Sequence, residues 1–243
     1  MTITRLVIQF NKDKIFLGLI LSIILITLSI YTAFWFSKFL FIFGLLILTN
    51  IILAIFASYQ LYDKSNLYKP KELLQSLIIK KTDKAIFLHA SFDPVSSKLE
   101  QMFKIGNLKI YNLYGNRHED EKSIKISNKL FPPNPKQQVI NPTNLPDNSN
   151  SIDYILAITS LHEILSQEKR IHFFKEANRI LKDDGTLIIC EQLKNWINFI
   201  FFNIGVFHFV SFNQWKDAIE KSNLKIEKVE KITPWGTMIV VKK

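Results

Sequence analysis

The stretch SIDYILAITSLHEILSQEKRIHFFKEANRILKDDGTLIICEQ, Ser151 to Gln192, decides the fold. Ile152–Ile158 is a short apolar, β-rich run, the length of a strand buried on both faces. Beyond SLHEILSQ, Ile171, Phe174, Ala177, Ile180 and Leu181 recur at spacings of three and four. That spacing predicts a helix with one apolar stripe and with Lys169, Arg170, Lys175, Glu176 and Lys182 on its wet face. Asp183-Asp184-Gly185 is expected to end this helix, with Gly185 in the left-handed conformation, and Thr186–Cys190 reads as a second buried strand. A strand, a crossover helix and a strand make a right-handed βαβ unit of a parallel sheet. Ligands of open sheets bind outside the carboxyl ends of the strands. Ser160 to Glu163 lies at one such end and Glu191 at the next.

Upstream, Lys84–His89, Leu108–Leu113 and Gln138–Ile140 read as strands, with helices over Ser96–Phe103 and Glu119–Leu130 and a break at FPPNP. Downstream come a helix over Asn213–Ser222 and strands over Lys225–Ile232 and Thr237–Lys242. The turn signal Thr233-Pro234-Trp235-Gly236 between those two strands predicts an antiparallel pair. The expected architecture is α/β, a Rossmann-like, seven-stranded, mostly parallel sheet closed by an antiparallel C-terminal hairpin.

Two apolar segments precede it. Ile15 to Ser37 and Phe39 to Tyr62 carry no charged residue, and each is long enough for a hydrocarbon core of about 30 Å. Lys38 alone separates them, beside Trp35 and Phe36, which suit the interface belt. A signal peptide would have a shorter apolar region, a small-residue cleavage site and no second span. The expectation is a two-helix transmembrane hairpin in residues 1–64, a connecting stretch over 65–83 and an α/β domain over 84–243. Arg5, Lys12 and Lys14 precede the hairpin, and Lys64, Lys69, Lys71, Lys80 and Lys81 follow it. This excess predicts an inner-membrane protein with the N-terminus and the α/β domain in the cytoplasm. Within the connector, Pro70 to Ile79 is expected to form a short amphipathic helix whose Leu73, Leu74, Leu77 and Ile78 cover the sheet or lie on lipid. The net charge of +10 lies mostly outside the apolar segments, so the bilayer, not nucleic acid, is the expected partner. Cys190, the single cysteine, sits inside a buried strand, which excludes a disulfide framework.

In its order of elements, Lys84 to Lys243 resembles the class I S-adenosylmethionine-dependent methyltransferases, in particular the small-molecule and lipid-quinone type. NPTNLPDNSNSIDYILAITSLHEI is similar to that family's acidic residue, loop, Leu-Pro, Asp-aromatic strand and His-rich turn. EANRILKDDGTLIICE is similar to its Arg-x-Leu-Lys-x-Gly-Gly-x-Leu strand entry, with Asp184 where a first Gly is usual. The resemblance implies S-adenosylmethionine as cofactor. It places the methionine part at the turn after the first strand, where His89-Ala90-Ser91-Phe92-Asp93-Pro94 contains no glycine. Ala90 and Ser91 are the small residues there, and Asp93 or Ser96 is placed to cap the next helix. The ribose position falls at Asn112-Leu113-Tyr114-Gly115-Asn116, where Asn112 or Asn116 stands for the usual acid and Tyr114 neighbours the site. The adenine position falls at Asn141, and Ser160 lies at the strand end opposite.

His162 and Glu163 are the candidate catalytic residues, an imidazole able to take a proton and a carboxylate able to orient it. The bland alternative is that Glu163 caps or pairs with the helix near Gln167 and His162 is a packed histidine. Glu191 faces the same crevice or is solvated. Trp196 to Phe212 has no Asp, Glu, Lys or Arg. It is read either as a buried core helix or as an interfacial flap that admits a lipidic substrate; His208 there is expected to be an interface polar group. No His/Cys/Asp cluster has ligand spacing, so no metal is expected. Two functions follow: a membrane-anchored methyltransferase acting on a small hydrophobic or lipid acceptor, or a catalytically inactive accessory subunit of a membrane protein complex.

Overall fold

The computed structural model describes residues 2–113 and 122–243. Its centre is the βαβ unit, with strand β4 at Ile152–Ile158, helix α7 at Gln167–Ile180 and strand β5 at Leu181–Gln192. Ser166 caps α7 by accepting from the Lys169 amide, and Phe173, Phe174, Ala177 and Ile180 bury the helix's apolar stripe on the sheet.

The exit from this helix differs from expectation. Strand β5 begins at Leu181, directly after the helix, and Ile152 pairs with Leu181 before Tyr154 pairs with Thr186. Residues 182–185 therefore bulge out of the ladder. Gly185 does not adopt a positive φ; among the described glycines only Gly106 does. A Cβ at Gly185 would meet the Lys182 carbonyl oxygen at 2.9 Å and the Lys182 nitrogen at 3.0 Å. The glycine serves a close backbone approach, not a left-handed cap.

Around this unit lie β1 (Ala85–His89), α5 (Ser96–Leu99), β2 (Leu108–Asn112), α6 (Lys122–Leu130) and β3 (Gln138–Val139) upstream. Downstream lie α8 (Trp196–Phe202), α9 (Phe212–Glu220), β6 (Lys225–Lys231) and β7 (Gly236–Lys242). The described residues form a seven-stranded sheet of order β3-β2-β1-β4-β5-β7-β6. All pairings are parallel except β5 with β7 and β6 with β7, so the closing hairpin is antiparallel as its turn signal predicts. Helix α5 is half the expected length, and residues 119–121 of the expected second helix lie outside the described residues.

Alternation along the strands sends side chains to two different layers. Ile86, Leu88, Ile155 and Ala157 pack with Phe173, Phe174 and Trp215 of α7 and α9. Ala85, Phe87, Leu156, Ile188 and Cys190 face the other way, onto Leu61, Leu67, Leu73 and Leu74. This second layer comes mainly from the end of the second apolar helix and the stretch after it. The connector carries only one turn of helix, α4 (Pro70–Leu73). Of its four expected apolar residues, Leu73 and Leu74 are buried on the sheet, Leu77 packs against it, and Ile78 is exposed.

The N-terminal segments form α1 (Ile3–Phe10), α2 (Lys12–Ile30) and α3 (Phe34–Ser58), the last continuing as a π-helical turn over Tyr59–Lys64. Helices α2 and α3, with the turn, are long and apolar enough to cross a membrane. The break between them falls at residues 31–33 and not at Lys38, which lies inside α3 with its ammonium 4.0 Å from the Phe34 ring centroid. A lone lysine near a helix end lies along the apolar surface and does not stop the helix. Helices α2 and α3 touch where they are small: Ser22 Oγ donates to the Gly44 carbonyl at 2.8 Å. The amphipathic helix α1, not expected from the sequence, is tied down by Asp63. Its carboxylate accepts from the Ile3 and Thr4 amides at 2.8 and 3.0 Å and complements the positive end of the helix.

Candidate functional site

The carboxyl ends of β1, β2, β4 and β5 meet in one polar cluster, and its hydrogen bonds run between strands. Strand β1 ends at His89, which is 1% exposed, stacks on Phe87 and, among the described residues, has no hydrogen-bond partner of good geometry on either ring nitrogen. Burial, only partly opposed by the Asp93 charge and the nearby Gln137 side chain, lowers the pKa of His89 and keeps the ring neutral. Ala90 is half-buried, and Ser91 takes a positive φ of 60°. Asn112, at the end of β2, holds this turn: its Oδ1 accepts from the Ser91 amide at 3.1 Å. Asp93 Oδ1 accepts from Val95 and Ser96 at 3.0 and 2.8 Å, so Asp93, not Ser96, holds the backbone at the entry to α5. Its Oδ2 is buried without a partner among the described residues.

Strand β4 is followed by Thr159, also at positive φ, and by Ser160, whose Oγ donates to the Leu88 carbonyl at 2.9 Å. A single-turn 3-10 helix, Leu161–Glu163, follows. Glu191 of β5 is 2% exposed and fixes that turn. Its Oε1 accepts from the amides of Ser160, Leu161 and His162 at 2.9, 2.9 and 3.3 Å. Its Oε2 lies 2.7 Å from His162 Nδ1. Of the two readings of Glu191, the crevice-facing one holds. Burial, the largest single influence on His162, disfavours charge. The charge and hydrogen bond of Glu191, with Glu163 beside it, outweigh burial and raise the pKa above the usual histidine value.

His162 therefore packs against a carboxylate, yet its ring also reaches the crevice mouth. Glu163 does not cap α7, a task Ser166 performs. Glu163 Oε1 lies 3.5 Å from His162 Nε2 and 3.3 Å from His208 Nε2. Beside this mouth Asn141 Oδ1 folds back on Thr143, accepting from its amide at 3.1 Å. A cavity of about 220 Å³ opens there between Leu113, Asn141, Thr143, Glu163, Ile164 and Lys169. Tyr114, expected next to the ribose position, lies outside the described residues.

The stretch after β5 is not a buried core helix. Helix α8 and a 3-10 helix over Asn203–His208 expose Trp196, Ile200, Ile204 and Phe207. This flap is bound to helix α3: Asn50 Nδ2 donates to the Ile200 carbonyl at 2.8 Å, and Asn203 donates to the Asn50 side chain. Phe201 also meets Trp235 edge-on, and Trp235 meets Phe56 of α3.

Residues 113–189 match a family model described as a methyltransferase domain, which is less than half of the chain. No curated protein matches. Among solved structures, a SAM-dependent methyltransferase of Aquifex aeolicus is similar at a TM-score of 0.52 and 15% identity, over 76% of this chain and 92% of that one. A S-adenosylmethionine-dependent methyltransferase of Clostridium acetobutylicum is similar at 0.52 and 12% identity, over 76% and 96%. The geranyl diphosphate C-methyltransferase of Streptomyces coelicolor, solved with Mg2+, geranyl diphosphate and S-adenosylhomocysteine, is similar at 0.51 and 13% identity, over 72% and 78%. The chain has the class I methyltransferase fold. The methyltransferase fold begins, in this chain, on strands whose ends are knit together by Asn112, Ser160 and Glu191.

Sequence reasoning brought His162 and Glu163 to the crevice but missed two contributors. His208 is 45 residues from Glu163, and no local spacing announces the contact. Asn50 is a single amide within an apolar helix, and its bond to the Ile200 carbonyl spans 150 residues.

Proposed function

We propose that this chain is a membrane-anchored, S-adenosylmethionine-dependent methyltransferase that modifies a small hydrophobic or lipid acceptor. The observation that carries the reading is the flap. It presents Trp196, Ile200, Ile204 and Phe207 outward while its backbone is bonded to Asn50 of an apolar helix. Asn50 lies 16 residues beyond Phe34 (50 − 34), about 24 Å along the helix at 1.5 Å per residue. The apolar stretch runs on to Lys64, 14 residues further (64 − 50), so the flap docks near the middle of that stretch and next to the crevice mouth at His162 and His208. With α2 and α3 in the inner membrane and the sheet on the cytoplasmic side, an apolar acceptor enters the crevice from the bilayer without crossing water.

The residues at the strand ends fit the cofactor. Ser91 makes, at φ 60°, the left-handed turn that a glycine makes most easily. His89 and Asp93 Oδ2 offer buried polar atoms without a hydrogen-bond partner among the described residues. Asn112, Ser91 and Ala90 would line the methionine and ribose portions, and Asn141 with the cavity beside Leu113 the adenine portion. Bound there, the cofactor supplies an electrophilic methyl group. The chain's own part is positioning: Glu191 fixes the turn bearing His162, and His162 and Glu163 face the acceptor's reacting end.

A second reading, an inactive accessory subunit of a membrane complex, is favoured by the glycine-free turn and by the bonding of Asn112 to Ser91. The two separate in proteoliposomes given methyl-tritiated S-adenosylmethionine and native membrane lipid. The enzyme reading expects label in the organic phase, reduced at least tenfold in Phe207→Asp while S-adenosylhomocysteine still binds. Cofactor binding without any transfer to lipid overturns the lipid acceptor, and absence of cofactor binding overturns the enzyme.

A further inference from the structure

We propose that His162, Glu163 and His208 form a divalent-cation site that joins the flap to the end of β4. Two imidazoles and one carboxylate are the donor set that takes Zn2+ or another first-row divalent ion. The ligand atoms of the three residues all lie within 4.8 Å of one another. Glu163 Oε1 stands 3.5 Å from His162 Nε2 and 3.3 Å from His208 Nε2. Those separations are long for direct hydrogen bonds. The His208 contact also serves as a hydrogen bond when no ion is bound, and both separations match the edge of a tetrahedron about an ion with ligand bonds near 2.1 Å, about 3.4 Å. The two rings cross at 78° with centroids 5.1 Å apart, so they do not stack.

A second, independent feature points the same way. His162 Nδ1 is 2.7 Å from Glu191 Oε2, and that carboxylate is immobilised by three backbone amides. With Nδ1–H donating to Glu191, Nε2 keeps its lone pair, and Glu163 and His208 lie beside that nitrogen. A buried carboxylate behind a histidine is the recurrent support of a metal-ligating imidazole. The side chains of His162, Glu163 and His208 are 15%, 21% and 52% exposed, so among the described residues the cluster is reached from the crevice. An ion there would hold the flap shut and bind an oxygen of the acceptor, so the acceptor class would be hydroxyl- or phosphate-bearing. The acceptor role rests on the methyltransferase reading; binding of the ion does not.

The test uses tag-free, full-length protein in detergent, stripped with chelator and titrated with Co2+ while its visible absorption is followed. One saturable Co2+ per chain, displaced by Zn2+, is expected. His208→Ala and Glu163→Gln each weaken binding at least tenfold, and Glu191→Gln weakens it about 10- to 100-fold. His172→Ala, an exposed histidine elsewhere, leaves it unchanged. No saturable absorption, or equal affinity in wild type and both His208→Ala and Glu163→Gln, overturns the site. S-adenosylhomocysteine binding measured on the same samples tells this failure from failure of the methyltransferase reading.

Discussion

Glu191 is the residue whose replacement tests the crevice most sharply, because one carboxylate holds four donors. Glu191→Ala strips the acceptor from the amides of Ser160 and Leu161, both in fully buried residues, and from His162. A buried donor left unpaired costs about 1–3 kcal/mol. Two such amides set a loss of about 2–6 kcal/mol, toward the lower end if water enters the vacated space. Glu191→Gln keeps a carbonyl oxygen for the amides but loses the charge and the Oε2 acceptor facing His162 Nδ1, about 1–2 kcal/mol, since charge-assisted bonds are roughly twice as strong as neutral ones. At about 2–4 °C per kcal/mol for a domain of this size, the alanine variant should melt about 4–24 °C below wild type and the glutamine variant about 2–8 °C below. Near-UV circular dichroism of buried Trp215 and Trp235 follows the transition in detergent. The glutamine variant should also lower the His162 pKa, because burial then acts with only Glu163 opposing it. A raised folded-state pKa stabilises the protein most below the unfolded value, near pH 6.5, and that contribution is lost as pH rises through the folded value. The stability gap between wild type and Glu191→Gln should therefore narrow with rising pH. Equal melting of the two variants, or an unshifted His162 titration in Glu191→Gln, would refute the reasoning.

The helical hairpin and the core strand carry further expectations. A side chain at Gly44 meets Ile26 Cγ1 at 2.8 Å and the Ser22 backbone oxygen at 3.0 Å, so Gly44→Val should cost about 1–3 kcal/mol in a denaturation series in detergent. Gly18→Ala, whose new Cβ meets chiefly the mobile tip of Ile51 at 3.0 Å, should cost less, and the reverse order would count against the hairpin packing. Cys190 is fully buried, and burial first, with the Glu191 charge second, pushes its thiol pKa far up. It should resist maleimide in the folded protein and react on denaturation; rapid labelling of the native protein would contradict its place in β5.

Much of the fold was legible because periodicity reports burial. The run Ile152–Ile158 and the Phe174–Ile180 stripe announce a doubly covered strand and its helix without any tertiary knowledge. The exit at Gly185 was not legible, since a glycine required by close approach looks the same in sequence as one required by a positive φ. Nor was the hairpin turn, because a single lysine marks a membrane interface more firmly than it marks a helix end. The site divides along the same line. His162 and Glu163 sit where strand-end logic points, whereas His208 and Asn50 reach it through contacts 45 and 150 residues long. Asp63, 60 residues from Ile3, anchors α1 by the same kind of unannounced contact.

The central claim, that this fold still binds S-adenosylmethionine through a turn built without glycine, is tested most directly by S-adenosylhomocysteine binding to the detergent-solubilised full chain. At a ligand concentration about a hundred times the dissociation constant, a stabilisation of about 2.7 kcal/mol is predicted, and it should be reduced in Asn112→Ala. A folded protein whose melting does not move at millimolar ligand would contradict the claim.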